Sequence, residues 1–510
     1  MPTNGAVTVA GFGGGVVTLN YISYISSDPS PAWGAATVAL PLISASVVAG
    51  RLVPLLAGGS PILSPGSAGL LEINAGGQYA ITPGVSVLVD AATTPATVFG
   101  GNVGGQLVVA GRGALVFNAG QGAGTVIAGD ADSFISILQG SGAQFVATGY
   151  GNSTIIATYG NNTIQTGHGR NVIRVQGGND SILSTGNDLI WSPDGNAAIT
   201  LSGPLVGPDV ALPARTVFLG SGASQVIDVA GNEVVPSIIV VGSAAATINS
   251  GRGDQIWMQG GGGLVQSNGF TGIDNVLGLQ SATQASSGYS ADTIIGGTGA
   301  ITVNAIQAND FVFAGSGALQ FTGGLGASTI LGNSQGTANI TGGAGSVIAI
   351  AYGQTSFTGG AGAATVAAFG GSVTINGGAG TGLFIGAPGG GNRITAGTGN
   401  TTIYGGGAGD VLTAGSVGGG ILVAGNGAET LIGGVGADLF AAIQGKTGIL
   451  TVQNFTKGQD FFTLSGFTPT EAATALASST LIAGSQQLTL SDGTKILFAG
   501  VTGLSLTNFI

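Results

Sequence analysis

The chain has 510 residues and a formal net charge of -11, from 21 acidic and 10 basic residues, and it contains no cysteine. An acidic balance without any basic cluster excludes a nucleic-acid partner, which needs cations along the phosphates. The missing cysteine excludes disulfides and thiolate metal sites. Glycine supplies 101 residues and charged residues only 6%, against about 25% charged in an average soluble domain, which excludes ordinary solvated helices. Glycine lacks the three-residue period of collagen, and hydrophobicity is too high for a disordered chain.

The first residues, Met1-Pro2-Thr3-Asn4, lack the basic segment and apolar core of a cleavable secretory signal. The most apolar stretch, Ala35 to Leu56, is broken by Pro41, Arg51 and Pro54, so no transmembrane segment is expected. Residues 1–120 alternate apolar and small polar residues, as in Ala6-Val7-Thr8-Val9 and Val16-Val17-Thr18-Leu19. They read as an N-terminal β-rich region without a clean period and as a candidate assembly segment.

Residues 121–191 bring the first regular repeat. Gln144, Ser153, Asn162, Asn171, Asp180 and Asp188 each stand two residues before an apolar column of Val146, Ile155, Ile164, Ile173, Ile182 and Ile190. Across residues 192–290 five prolines, Pro193, Pro204, Pro208, Pro213 and Pro236, interrupt the pattern, although Thr216-Val217-Phe218 and Asp254-Gln255-Ile256 still echo it. This stretch reads as irregular or insert-bearing solenoid.

The main repeat occupies residues 291–440. Its register falls on Asp292, Ile301 and Asp310 and continues through Ser346, Thr355, Val373, Asn392 and Asp410 to Glu429 and Asp438, nine residues apart with occasional eights and tens. Two residues after each stands Ile, Val, Leu or Phe, including Ile348 and Ile375, and two residues before is usually Gly. A nine-residue period fits no helix. It fits a strand of four or five residues ended by a glycine turn that needs positive φ. Two nonapeptides then close one flattened coil of about 18 residues, and coils stack at about 4.8 Å as parallel strands do. The fold class is therefore all-β, a parallel β-solenoid of the β-roll or β-helix kind, with the apolar column inside. Residues 441–510 change texture. Pro469-Thr470-Glu471 opens a short helix through Leu476, and Gln487 to Phe498 predicts a hairpin turning at Ser491-Asp492-Gly493, together a small C-terminal cap.

Gly433-Gly434-Val435-Gly436-Ala437-Asp438-Leu439-Phe440-Ala441 resembles the complete calcium-binding nonapeptide of repeats-in-toxin (RTX) proteins. The preceding unit, Gly425 to Ile432, is similar with Glu429 in place of Asp, and Asn454 to Asp460 and Leu490 to Val501 resemble the tail that follows such repeats. The resemblance covers residues 425–510 in motif and 292–424 in period only. It implies a right-handed β-roll, calcium in the turns, and export by type I secretion through an uncleaved C-terminal signal, to which Leu504 to Ile510 is similar. Most units lack the Asp, so dense calcium loading does not carry over to them.

With two strands per coil, every second unit shares an edge. Asp292 should stack on Asp310, Asp410 on Glu429, Asp180 on Asn162 and Asp188 on Asn171. Two carboxylates about 5 Å apart repel unless one is protonated or a cation lies between them, and Ca2+ takes six to eight oxygens, some from turn carbonyls. Asp410, Glu429, Asp438, Asp292, Asp310, Asp180 and Asp188 are therefore the metal candidates for a few Ca2+ ions. The alternative is that these Asn and Asp side chains satisfy turn amides. His168, beside Arg170, reads as a solvated turn residue. Arg252-Gly253-Asp254 spells a cell-attachment tripeptide short enough to arise by chance. Asn162-Thr163 and Thr401-Thr402 suggest a threonine ladder, but the column is not regular along the sequence, and β-propensity accounts for it.

The stretch between Asp310 and Asp410 carries a single charge, Arg393, which is unlike the surface of a soluble monomer. The expectation is a secreted, extracellular structural protein that self-assembles, with calcium, into a fibre, surface layer or matrix, its partners being itself and a cell-surface polysaccharide. An adhesin, ice-binding or glycan-binding solenoid is the alternative; it needs a regular outward row of Thr, Asn or aromatics, which residues 292–440 do not show clearly. A polysaccharide-active enzyme would need carboxylates clustered with a base. The basic residues are scattered, so the chain is expected not to be an enzyme.

Overall fold

The computed structural model describes residues 2–10, 16–24, 52–55, 69–73, 75–202, 215–228, 237–267 and 292–510, apart from Gln139, Ser141, Arg252, Gly253, Gly261, Gln307, Ala308, Gly418 and Thr447. Short segments with apolar or β-branched residues at every second position form strands, because such side chains fill a pleated surface that is buried on one side. Through the repeats each strand pairs in parallel with the strand two places along. Thr355–Thr358, for example, lies between Ala338–Thr341 and Val373–Asn376. Two strands thus make one coil, and the chain is a parallel β-solenoid as its period predicts. It divides into two compact units, residues 1–256 with 272–286 and residues 257–271 with 287–510.

In the first unit the coils begin well before the clean period does. Leu52–Leu55 pairs in parallel with Gly69–Ile73, and Gly69–Ile73 with Val85–Asp90. Nearer the N-terminus Pro2–Ala10 pairs antiparallel with Val16–Tyr24. The proline-interrupted stretch keeps its parallel pairing, since Leu189–Ser192 pairs with Thr216–Leu219 and that strand with Ile238–Val241. One coil there is lengthened, with Ala197 and Ser224 at the same corner 27 residues apart.

The second unit carries the main repeat. Its interior holds Ile294, Val303, Val312, Phe321, Ile330, Phe357, Ile375, Phe384, Ile403 and Leu412, each at most 1% exposed. One position departs from the predicted register. Ile348 points outward, 47% exposed, while Val347, Ala349 and Ala351 are buried; the corner after Ala338 is Val347 rather than Ser346. Val347 to Ala351 offers apolar residues in both phases, so the period alone does not decide which of them turns inward.

Glycine also acts differently from the expectation. Most turn glycines, among them Gly317, Gly345 and Gly362, do not have positive φ. They are required because turns stack on turns: a Cβ on Gly345 would strike the carbonyl oxygen of Gly326, one coil away.

Parallel coils continue past residue 440. Ile449–Gln453 pairs with Glu429–Ile432, and Phe461–Ser465 with Leu439–Ile443. The cap follows as predicted, with a helix at Glu471–Ala477 and a hairpin of Ser485–Thr489 and Lys495–Phe498. Lys495–Phe498 extends one sheet in parallel on Ile449–Gln453, after which Ser485–Thr489 and Thr480–Ile482 add antiparallel and end it. The Glu471 carboxylate accepts the Ser491 N–H at 2.6 Å and its hydroxyl at 2.9 Å, tying helix to hairpin. Phe462 packs among Phe440, Phe498 and Phe509 with centroid distances of 5.4 to 6.5 Å, closing the core. Among the described residues no helix is long and apolar enough to cross a membrane.

Candidate functional site

At the corner where each coil enters a strand, the chain leaves the turn and its N–H points along the stack toward the next coil. Where the register residue one coil on is Asn or Asp, its side chain supplies the acceptor, and elsewhere a backbone carbonyl does, as Ala318 does for the Ile301 N–H. Asp180 Oδ1 accepts the Asn162 N–H at 2.8 Å and its Nδ2 at 2.9 Å, and Asn162 Oδ1 accepts the Gln144 N–H at 3.1 Å. On the other sheet Asp188 Oδ1 accepts Asn171 N–H and Nδ2 at 3.0 and 2.8 Å, and Asn171 Oδ1 accepts the Ser153 N–H at 2.8 Å. Asp188 Oδ2 takes the hydroxyls of Thr166 and Ser184. In the second unit Asp410 Oδ1 accepts Asn392 N–H and Nδ2, both at 2.8 Å, and its Oδ2 accepts the Gly406 and Gly407 N–H groups at 2.7 and 3.2 Å. Asp438 bridges the Gly420 and Gly434 N–H groups at 2.7 and 2.6 Å.

The predicted stacking is thus present. Asp180 stands on Asn162, Asp188 on Asn171, Asp292 on Asp310 and Asp410 on Glu429. All seven candidate carboxylates are at most 4% exposed. Burial raises Asp180, Asp188 and Asp438 above the usual carboxylate range, against the opposing pull of their N–H donors. Glu429 is pushed up to about 8, first by burial and then by the neighbouring Asp410, while the Gly425 N–H and Lys446 act the other way. Its Oε2 accepts the Gly425 N–H at 2.9 Å, and its Oε1 is buried without a partner.

As placed, the carboxylates of Asp188, Asp410 and Asp438 do not present the donor set of a Ca2+ site. The ion needs six to eight converging oxygens, whereas the oxygens of Asp188, Asp410 and Asp438 are aimed at N–H and O–H donors. Among the described residues no group of three or more acidic or imidazole side chains converges. Asp180, Asp188, Asp410 and Asp438 thus serve as acceptors for the turns and corners, the alternative the sequence left open.

Several residues of the same kind escaped sequence reasoning. Asp460 accepts the Asp438 N–H at 2.9 Å and the Thr456 N–H at 2.7 Å; its signal was the Asp-x-Phe of Asp460 to Phe462, repeating Asp438 to Phe440. Asp254 accepts the Ser237 and Gly251 N–H groups at 3.0 and 2.9 Å and is 1% exposed. Arg252 and Gly253 of the attachment tripeptide lie outside the described residues. Asp90, fully buried and raised to about 6 by desolvation, accepts the Ala92 N–H at 3.0 Å. His168 is not a solvated turn residue: it is buried and stacked on Tyr150 at 5.1 Å, because turns above and below enclose it.

The outer faces of the second unit differ from one another. On the sheet running from Thr293–Ile295 to Gly420–Val423, register places Thr293, Phe311, Thr329, Ile348, Thr365, Leu383, Thr402 and Ile421 in one outward column, threonine alternating with a large apolar residue. The alternation ends at the next coil with Leu439. The neighbouring column includes Ile295, Phe313, Leu331, Ile385 and Tyr404. Phe311, Phe313, Ile348, Leu383, Ile385, Tyr404 and Ile421 are between 36% and 47% exposed, and neither column contains a charge. The opposite sheet carries Asn304, Thr322, Thr341, Thr358, Asn376, Thr395 and Thr413 in one outward column, beside one that includes Gln320, Asn339, Ser356 and Arg393. A regular Thr and Asn row is therefore present where the sequence did not show one, because successive nonapeptides belong to opposite sheets and only every second one enters a column.

No family model matches the chain, and no curated protein is similar to it. The RTX resemblance rests on the nonapeptides and tail quoted above.

Proposed function

We propose that the protein is an extracellular structural protein that assembles with copies of itself into a fibre, layer or matrix. The apolar outer face between Thr293 and Val423 carries this reading. Seven large side chains at least a third exposed on one flat, charge-free sheet form a patch of the kind that marks association surfaces. Export by type I secretion belongs to the same proposal and rests on the resemblance of residues 425–510 to RTX tails. The reading assigns no catalytic role, and its assembly step does not pass through a calcium ion. Light scattering and electron microscopy of the full chain over a concentration series test it. Particle mass should grow with concentration into ordered assemblies, and a chain that stays monomeric throughout overturns the proposal.

The Thr and Asn column on the opposite sheet favours a second reading, a platform for an extended polysaccharide or for ice. A flat, regular hydroxyl and amide array matches a regular ligand lattice at the coil spacing of about 4.8 Å. Binding of the full chain to cell-surface polysaccharide, lost in Thr358→Arg, would favour that reading.

A further inference from the structure

The alternation on the apolar face has a geometric property that bears on how two copies meet, given the self-assembly proposed above. Over eight coils the column reads threonine, then a large apolar residue, from Thr293 to Ile421. When two such faces pack, a two-fold axis in the interface runs either along the stack or along the strands. An axis along the stack superposes equal coils and crosses the columns, setting Phe311 against Phe313 of the second copy and Thr365 against Ala367. Phe311, Ile348, Leu383 and Ile421 then meet large residues while Thr365 meets only Ala367, so the gap between the sheets is uneven from rung to rung. An axis along the strands, placed between Ile348 and Thr365, reverses the stack and keeps each column over itself. Ile348 then faces Thr365 of the second copy, Phe311 faces Thr402, and every large residue of this column meets a threonine, while in the neighbouring column Phe313 meets Tyr404 and Leu331 meets Ile385.

We infer that the apolar face binds a second copy of this chain, face to face and with the stacks antiparallel, through this fit of large residues into threonine gaps. Such a contact is isologous, each residue pair occurring twice. Strand directions of the two sheets coincide, as in aligned sheet packing with layers about 10 Å apart. Eight rungs at about 4.8 Å and four residues per strand at about 3.3 Å give a patch near 500 Å² per copy. The pair therefore buries about 1,000 Å², the size at which specific interfaces begin. The face carries no charge whose desolvation would oppose the contact.

The absence of cysteine from the full chain allows a direct test. Phe311→Cys and Thr402→Cys chains are co-assembled and treated with a short bis-maleimide that spans about 10 Å, the distance between packed sheets. Covalent dimer is expected from the mixture and not from either variant alone, because each residue lies five coils from its own copy across the axis. Thr293→Cys with Ile421→Cys repeats the test at the ends of the face, should one variant fold poorly, and Thr358→Cys on the opposite sheet should give no dimer. Equal dimer from Phe311→Cys alone overturns the antiparallel arrangement. Assembled material with no cross-link in either mixture overturns the face as the interface while self-assembly stands. A sample that is monomeric by light scattering before cross-linking overturns self-assembly itself.

Discussion

The two outer faces of the coils between Thr293 and Val423 hang on one shared interior, yet one is apolar and the other a lattice of Thr, Asn, Ser and Gln. Packing fixes the inward residue of each strand. It does not fix the outward ones, since either face projects from the same pleat. The polar face is what a solenoid needs to stay hydrated. The apolar face is not, and leaving it in water carries a standing cost of about 25 cal/mol per Å² of apolar surface. A feature that the fold does not require and water does not favour points to a partner.

The largest expected effect separates inside from outside. Ile375→Asp places an unpaired charge at a site 0% exposed and should abolish folding, at a cost on the order of 5 kcal/mol. Ile348→Asp, on the apolar face, should fold with a Tm close to that of the parent in circular dichroism; unfolding of both would mean the register at Val347 is misplaced. Next, Ile348→Arg or Leu383→Arg should eliminate assembly in light scattering, while Ser356→Arg on the polar face should leave it intact. The reverse pattern would hand the association to the other face.

Two smaller effects concern the corners that both faces share. The Glu429 carboxyl titrates near 8 in the folded chain against an ordinary 4.5. The folded state therefore holds this proton more tightly. Its contribution is fully present below pH 4.5, is lost as pH rises through the window to about 8, and is gone above it. Glu429→Gln should match the parent at pH 4 and exceed it by up to about 5 kcal/mol at pH 9 in denaturant melts; equal pH slopes would contradict the burial of this group. Asn392→Ala removes the acceptor for the Val373 and Ala387 N–H groups and the donor to Asp410, which should cost about 1 to 3 kcal/mol. Chelator should leave the Tm of parent and variant alike unmoved, whereas a calcium-dependent rise lost in Asp410→Asn would restore a metal at the corners.

Much of this was legible in the chain. The nine-residue spacing is a direct projection of strand plus turn, so the coil, the stacking of Asp410 on Glu429 and the interior column through Ile375 follow from counting. The hairpin at Ser491-Asp492-Gly493 was visible through local turn chemistry. Ser346 misled because Val347 to Ala351 is apolar in either phase, and counting does not show which phase turns inward. Stacking of the carboxylates was legible, but spacing does not reveal that Asp180, Asp188, Asp410 and Asp438 accept N–H groups of the preceding coil. Asp460 was missed because the lengthened coil before it, 22 residues from Asp438, broke the count. The two faces were hidden because the repeat interleaves them.

The alternating column also gives coil number an arithmetic meaning. Opposed coils across the axis have indices with a fixed sum, and with eight coils that sum joins an odd member to an even one. Removing the first coil of the face, about 18 residues, would leave the remaining parallel ladders and the interior in place. It would also change the parity, so that an antiparallel pair set like against like. Removing two would restore it. A solenoid is indifferent to its own length, but this face distinguishes even from odd, and gain or loss of coils in pairs is the change it tolerates.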